Sequence, residues 1–144
     1  MILDKPAMIN DLLNKSHNIA VVGMSPNPER DSNKVGKYLM DKGYNVIPVN
    51  PAVTEIYGKK AYPSILDIPK DLKIDIIDIF RNPEASKEIV LQAPILNPRA
   101  VWLQLGAESP EVIKAALSKN LDVVYGICIM VTHQKLSNKV DFSI

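Results

Sequence analysis

The chain reads as a single α/β domain: a doubly wound parallel sheet of about five strands, in three layers, with helices on both faces. Three observations predict this. Short apolar runs recur at residues 18–23, Tyr44–Val49, Ile74–Phe80, Ala100–Leu105 and Leu121–Tyr125, and such runs are strand-like. Helical patterns separate them, so β and α alternate at intervals of roughly 25–30 residues, which implies right-handed crossovers between parallel strands. Finally, Asn82-Pro83 and Ser109-Pro110 place a capping side chain before a proline, the signature of a helix start. By analogy with doubly wound folds the expected strand order is 3-2-1-4-5.

The elements follow in turn. Residues 6–15 carry Met8, Ile9, Leu12 and Leu13 on one helical face. The first strand, 18–23, is apolar from Ile19 to Val22 and runs into Gly23. Residues 24–31 hold Pro26 and Pro28 and are a loop. Asp31 or Ser32 can cap the next helix, whose Val35, Tyr38 and Leu39 sit at i, i+3 and i+4 and which Gly43 ends. The second strand closes at Asn50-Pro51, and Gly58, Lys59 and Lys60 belong to a loop. Tyr62–Ile68 fits a short strand and turn as well as a helical turn. The third strand, 74–80, leads to a helix from Asn82 that stops before Pro94. The fourth leads to a helix from Ser109 to about Lys119, and the fifth ends at Tyr125. Residues 127–144 mix apolar and polar types with no clear period; they cover one face or are loose. Asp75 and Asp78 interrupt the third strand and are expected at its solvent-facing edge or near its ends.

The totals narrow the function. A chain of 144 residues suits one domain, here 1–144. Hydrophobic content of 47% and charged content of 23% are ordinary for a globular protein. A net charge of +1 gives no field that would attract nucleic acid. The one cysteine, Cys128, leaves no internal disulfide and no multi-cysteine zinc site, and no other metal site is expected. Asp4 and Lys5 stand where a signal peptide needs an apolar core, and no apolar run is long enough for a membrane span. A cytoplasmic location is expected, with no membrane partner.

In such sheets ligands bind beyond the carboxyl ends of the strands, so the residues that follow each strand matter most. A dinucleotide fingerprint would want glycines at 23, 25 and 28; this chain has Gly23, Ser25 and Pro28. Gly23 permits a sharp turn and a close approach to the backbone. The Ser25 hydroxyl can donate to a phosphate oxygen. Behind them the helix near Ser32–Asn33 offers free N–H groups, and Arg30 and Lys34 add positive charge. Position 50 discriminates between cofactors. A NAD site usually ends its second strand in an acid that binds the ribose. Here Asn50 is neutral, which suits a phosphorylated ribose, as in NADP or coenzyme A; a plain turn is the simpler account of Asn50-Pro51. After the third strand, Phe80 can stack on an adenine or line a pantetheine arm, or belong to the core, and Arg81 can pair with phosphate. Cys128 and His133 are the one conventional nucleophile and base near each other in sequence, but nothing in their spacing makes a catalytic pair. No catalytic residue is assigned.

Taken together, VVGMSPNPERDSNKVGKYLMDKGYNVIPVNP, GKKAYPSILDIP, IDIIDIFRNPE and VWLQLGAESPE resemble the stand-alone CoA-binding domain proteins. These are similar to the N-terminal CoA-binding domain of the succinyl-CoA synthetase alpha subunit. The resemblance covers about residues 15–131. It implies a Rossmann-like fold that holds CoA or an acyl-CoA with its phosphates near the first glycine turn. The matching positions are Gly23, Ser25, Pro26 and Arg30 in the first loop, Val49, Asn50 and Pro51 in the second, and Phe80 and Arg81 in the third. No second domain to carry a phosphorylated histidine is expected within 1–144, and His133 lies in a different context, so the resemblance does not imply ligase activity. The expected function is CoA binding without catalytic machinery. The alternative is an NAD(P)-binding oxidoreductase or redox-sensing module on the same fold. A second copy of the chain, or an unidentified protein, stays open as a partner.

Overall fold

A computed structural model describes residues 1–142. The helices are α1 (Pro6–Lys15), α2 (Asp31–Asp41), α3 (Pro83–Gln92), α4 (Pro110–Ser118) and α5 (Ile129–Phe142). The strands are β1 (Asn18–Val22), β2 (Asn45–Val49), β3 (Glu55–Ile56), β4 (Lys59–Lys60), β5 (Ile76–Ile79), β6 (Ala100–Leu103) and β7 (Val123–Tyr125). The capping signals hold: the Asn82 side chain accepts from the Ala85 N–H and Ser109 from the Val112 N–H, each ahead of a proline in the first turn.

The main sheet is parallel, in the order β2-β1-β5-β6-β7. In terms of the five strands read from the sequence this is 2-1-3-4-5, and the expected 3-2-1-4-5 is corrected. Pro48 supplies a physical reason. It lies in the middle of β2, opposite Val21, and has no N–H to offer a further strand on its outer side. That side carries only a parallel bridge between Val49 and Tyr62. Tyr62 donates its N–H to the Pro48 carbonyl (3.0 Å) and accepts from the Asn50 N–H (2.9 Å). The strand Ile76–Ile79 therefore pairs with the other side of β1, where all four of its residues are buried. Counting Tyr62 as a third strand reduced to one residue, the order becomes that of the dinucleotide-binding folds, 3-2-1-4-5-6. At the opposite edge Ile2 bridges Val123, with the Leu3 N–H on the Val123 carbonyl at 2.8 Å.

Both sheet faces are covered, as near-continuous apolar strands require. Ala20, Ile77, Val101 and Val123 face α3 and α4, which contribute Val90, Val112 and Ala116. Ile19, Val21, Ile76 and Trp102 face the other layer, where α1, α2 and α5 contribute Leu12, Leu39 and Ile129. Fully buried Trp102 donates Nε1–H to the Ile127 carbonyl at 2.9 Å and so fixes the turn between β7 and α5.

Four further expectations change. The stretch after Ile127 is helix α5, packed against α1 and α2; its weak period reflects a helix touching several neighbours. The loop at Gly58–Lys60 is a hairpin, β3–β4, whose turn residues Tyr57 and Gly58 both have positive φ (51° and 75°), as a primed turn demands. Tyr62–Ile68 turns out to be both of its alternatives, the bridge at Tyr62 and a 3₁₀ turn at Ile65–Asp67. The two aspartates are inside rather than at a wet edge. Asp75, 6% exposed, accepts from the backbone N–H groups of His17 (2.8 Å) and Asn18 (3.0 Å) and from Arg99 Nε (3.2 Å). Burial works to raise its pKa, but these donors prevail and hold the carboxyl below its ordinary range. Asp78, fully buried, accepts from Gln104 Nε2 at 2.6 Å on one oxygen, and its other oxygen has no partner among the described residues. Burial pushes its pKa up to about 7, against the opposing effect of the Gln104 bond.

Candidate functional site

The carboxyl ends of β1, β2, β5 and β6 gather the loops that the sequence singled out. Gly23 leaves β1 with φ of 85°, a conformation open to glycine at little cost. A Cβ there would collide with the Phe80 carbonyl oxygen and lie 3.0 Å from Arg81 Cδ. The close approach of the chain leaving β5 therefore already requires a glycine here, in addition to the sharp turn read from the sequence.

The loop after Gly23 is pinned by side chains. The Ser25 N–H donates to Ser32 Oγ (3.0 Å), Asn33 Nδ2 donates to the Ser25 carbonyl (2.8 Å), and Ser25 Oγ accepts from the Asn27 N–H (3.1 Å). Ser32 therefore holds the loop instead of capping α2, whose capping position is Arg30 with no side-chain cap bond. The Ser25 hydroxyl keeps its own hydrogen to donate outward. Asn50 performs a similar office from β2: Nδ2 donates to the Met24 carbonyl (2.9 Å) and Oδ1 accepts from the Ala52 N–H (2.8 Å). Its amide shapes the loop, which accounts for an asparagine here without appeal to a ribose.

Three adjoining hollows result. The central one, about 630 Å³, is lined by Gly23, Ser25, Arg30, Ser32 and Phe80, with Glu29 and Asp31 at its wall. That size falls within the roughly 300–1,000 Å³ of small-molecule sites. The N-terminus of α2 opens into it, and helix N-termini attract anions through free N–H groups and the helix dipole. The carboxylates of Glu29 and Asp31 oppose an anion there, while Arg30, and Lys34 one turn on, offset them. On the α3 side lies a hollow of about 250 Å³ between Val49, Pro51, Ile65 and Ile89, with Arg81 and Glu88 at its polar margin. On the α5 side lies one of about 260 Å³ between Lys34, Phe80, Gln104, Cys128 and Met130.

Of the ten residues picked from the sequence, eight line these hollows: Gly23, Ser25, Arg30, Lys34, Val49, Pro51, Phe80 and Arg81. Asn50 acts behind the loop, and Pro26 is exposed at its tip. Ser32 was read only as part of the helix start, and Ile65, Ile89 and Gln104 were missed. Their side chains enter the walls through tertiary folding, and no local motif marks them. Cys128 and His133 belong to different surroundings. His133 Nδ1 bonds to the Tyr38 hydroxyl at 2.7 Å, and its ring stands edge-on to Tyr38 and Tyr44. Burial, and then the Lys42 charge, lower its pKa.

A parallel sheet wound on both faces, with its loops gathered over the strand ends around a helix N-terminus, defines a Rossmann-like α/β domain. The sequence profile of the family described as CoA binding domain matches residues 17–134, and the chain belongs to that family. It is 36% identical to YneT of Bacillus subtilis over 127 residues, 88% of this chain and 93% of that one. Among solved structures, a hypothetical protein from Pyrococcus horikoshii OT3 is 41% identical, with a TM-score of 0.88 and 92% of each chain covered. The dinucleotide-forming acetyl-coenzyme A synthetase 1 of Ca. Korarchaeum cryptofilum, in its apo form, is 26% identical with a TM-score of 0.67. The match takes in 80% of this chain and only 27% of that much longer one.

Proposed function

We propose that this protein binds coenzyme A or an acyl-CoA across the three hollows, with no catalytic machinery assigned to it. The observation that carries the reading is the central hollow, where the α2 N-terminus, the Ser25 hydroxyl and Arg30 converge on a space suited to phosphate groups. The hollow beside Val49, Pro51 and Ile65, with apolar and polar walls, suits a flat base, with Arg81 at its margin for a further phosphate. Family membership and the likeness to a segment of an acetyl-CoA synthetase support the same ligand. The match takes in only 27% of that enzyme, so its overall reaction is not carried over to this chain. No feature of the described site favours a nicotinamide cofactor.

Isothermal calorimetry with CoA, acetyl-CoA, NADP and NAD tests the reading. CoA or acetyl-CoA is expected to bind and NAD is not. No heat with either CoA form at millimolar ligand would end it. The double variant Arg30→Ala, Arg81→Ala is expected to lose about 2 kcal/mol of affinity, near the low end for charge-assisted contacts because both side chains are exposed. Unchanged affinity would show that the phosphates lie elsewhere.

A further inference from the structure

The hollow on the α5 side contains more than a nucleotide needs. It adjoins the central hollow through two shared residues, Asp31 and Phe80. Two of its wall residues carry chemistry. Gln104 is 3% exposed and lines the space. Its Nε2 is committed to Asp78, and none of the described residues donates to its amide oxygen. An amide oxygen left without a donor in the wall of a hollow is a ready partner for an N–H group of a ligand. Cys128, a free thiol that is partly exposed, stands in the same wall. Phe80, Met130 and Val35 complete the lining with apolar surface. A slender arm with amide groups and a terminal sulfur, running on from phosphates in the central hollow, would meet these features in order.

Resting on the CoA reading above, we propose that this hollow receives the thiol end of the ligand and that Cys128 captures it as a mixed disulfide. The reaction is thiol–disulfide exchange. The Cys128 thiolate attacks one sulfur of a CoA disulfide, the Cys128–CoA disulfide forms, and the second CoA leaves as its thiolate and takes up a proton. The CoA disulfide is itself the oxidant. A reducing thiol runs the exchange backwards and frees the cysteine. The site would thus hold CoA reversibly when the thiol pool is oxidised and release it when the pool is reduced.

The test compares two reagents on the full-length protein: CoA disulfide and hydroxyethyl disulfide, which has no nucleotide. Intact-mass spectrometry follows the adduct, and calorimetry measures CoA binding to the wild type and to Cys128→Ser. A disulfide docked by its nucleotide end reacts at an effective concentration of millimolar order. At ten micromolar reagent, CoA disulfide should therefore label the wild type about 100-fold faster than hydroxyethyl disulfide. Excess adenosine 3′,5′-bisphosphate, which lacks the arm, should slow the labelling. Cys128→Ser should gain no adduct. Equal rates for the two reagents, with CoA binding intact, would overturn the capture and leave the CoA reading standing. Absence of CoA binding by both proteins would overturn both.

Discussion

Replacing Asp78 with asparagine should flatten the dependence of stability on pH. The carboxyl of Asp78 is fully buried beside Ile77 and Ile79 on the central strand, with a single partner, Gln104, and one oxygen unpaired among the described residues. Its pKa is about 7 in the fold against an ordinary 3.8. The sign follows from linkage. The folded state keeps the proton over a range where the unfolded chain has lost it, so the group's contribution is fully present below about pH 4. It is lost as pH rises through 7. The full loss is about 4 kcal/mol, and about 3 kcal/mol of it falls between pH 5 and pH 8. Asparagine fits the space and still bonds to Gln104, but it cannot ionise. Urea unfolding of both proteins at pH 5 and pH 8 gives four stabilities. The difference between wild type and Asp78→Asn should grow in favour of the variant by about 3 kcal/mol from the lower pH to the higher, with every other titrating group cancelling. A change below about 0.5 kcal/mol would mean that water or a neighbour stabilises the carboxylate inside the fold, and the argument from desolvation would fail.

Two substitutions test the loop. Gly23→Ala combines a positive φ with a collision against the Phe80 carbonyl; it should cost at least about 1–3 kcal/mol in urea unfolding and weaken CoA binding as the strand ends move apart. Asn50→Ala removes the donor to the Met24 carbonyl, and about 1–2 kcal/mol of stability should go with it, with hydrogen exchange accelerated at Ser25 and Ala52.

The sequence made some of this legible and hid the rest for identifiable reasons. The strands announced themselves because burial on both faces demands unbroken runs such as Ile19–Val22, and the starts of α3 and α4 because Asn82-Pro83 and Ser109-Pro110 act within one turn of chain. Strand order depends on which edge a strand joins. Pro48 held the clue, in its missing N–H, but the importance of that proline emerges only once β2 is seen as an outer strand. Asp78 was misplaced because a lone carboxylate in an apolar run is usually at a boundary, and its burial depends on Gln104, 26 residues away. The site was legible as far as loops follow strands. Gly23 and Asn50 were chosen correctly as loop residues, although their immediate partners prove to be protein groups, Phe80 and Met24. Gln104 and Ile65 could not be chosen, since only packing brings them to the hollows.

The two bridges at the margins of the sheet bear on how the molecule behaves in a crowded solution. A parallel sheet normally leaves a row of free N–H and C=O groups along each outer strand, and such rows recruit other chains into fibres or swapped dimers. Here Tyr62 occupies the acceptor at Pro48, where proline has already removed a donor, and Met1–Leu3 lie along β7. Each margin is thus interrupted, at Pro48–Asn50 on one side and at Val123 on the other. The same few residues that interrupt the open edges therefore guard against aggregation, and clipping the first three should expose β7 to self-association before it noticeably disturbs the hollows at the far end of the strands.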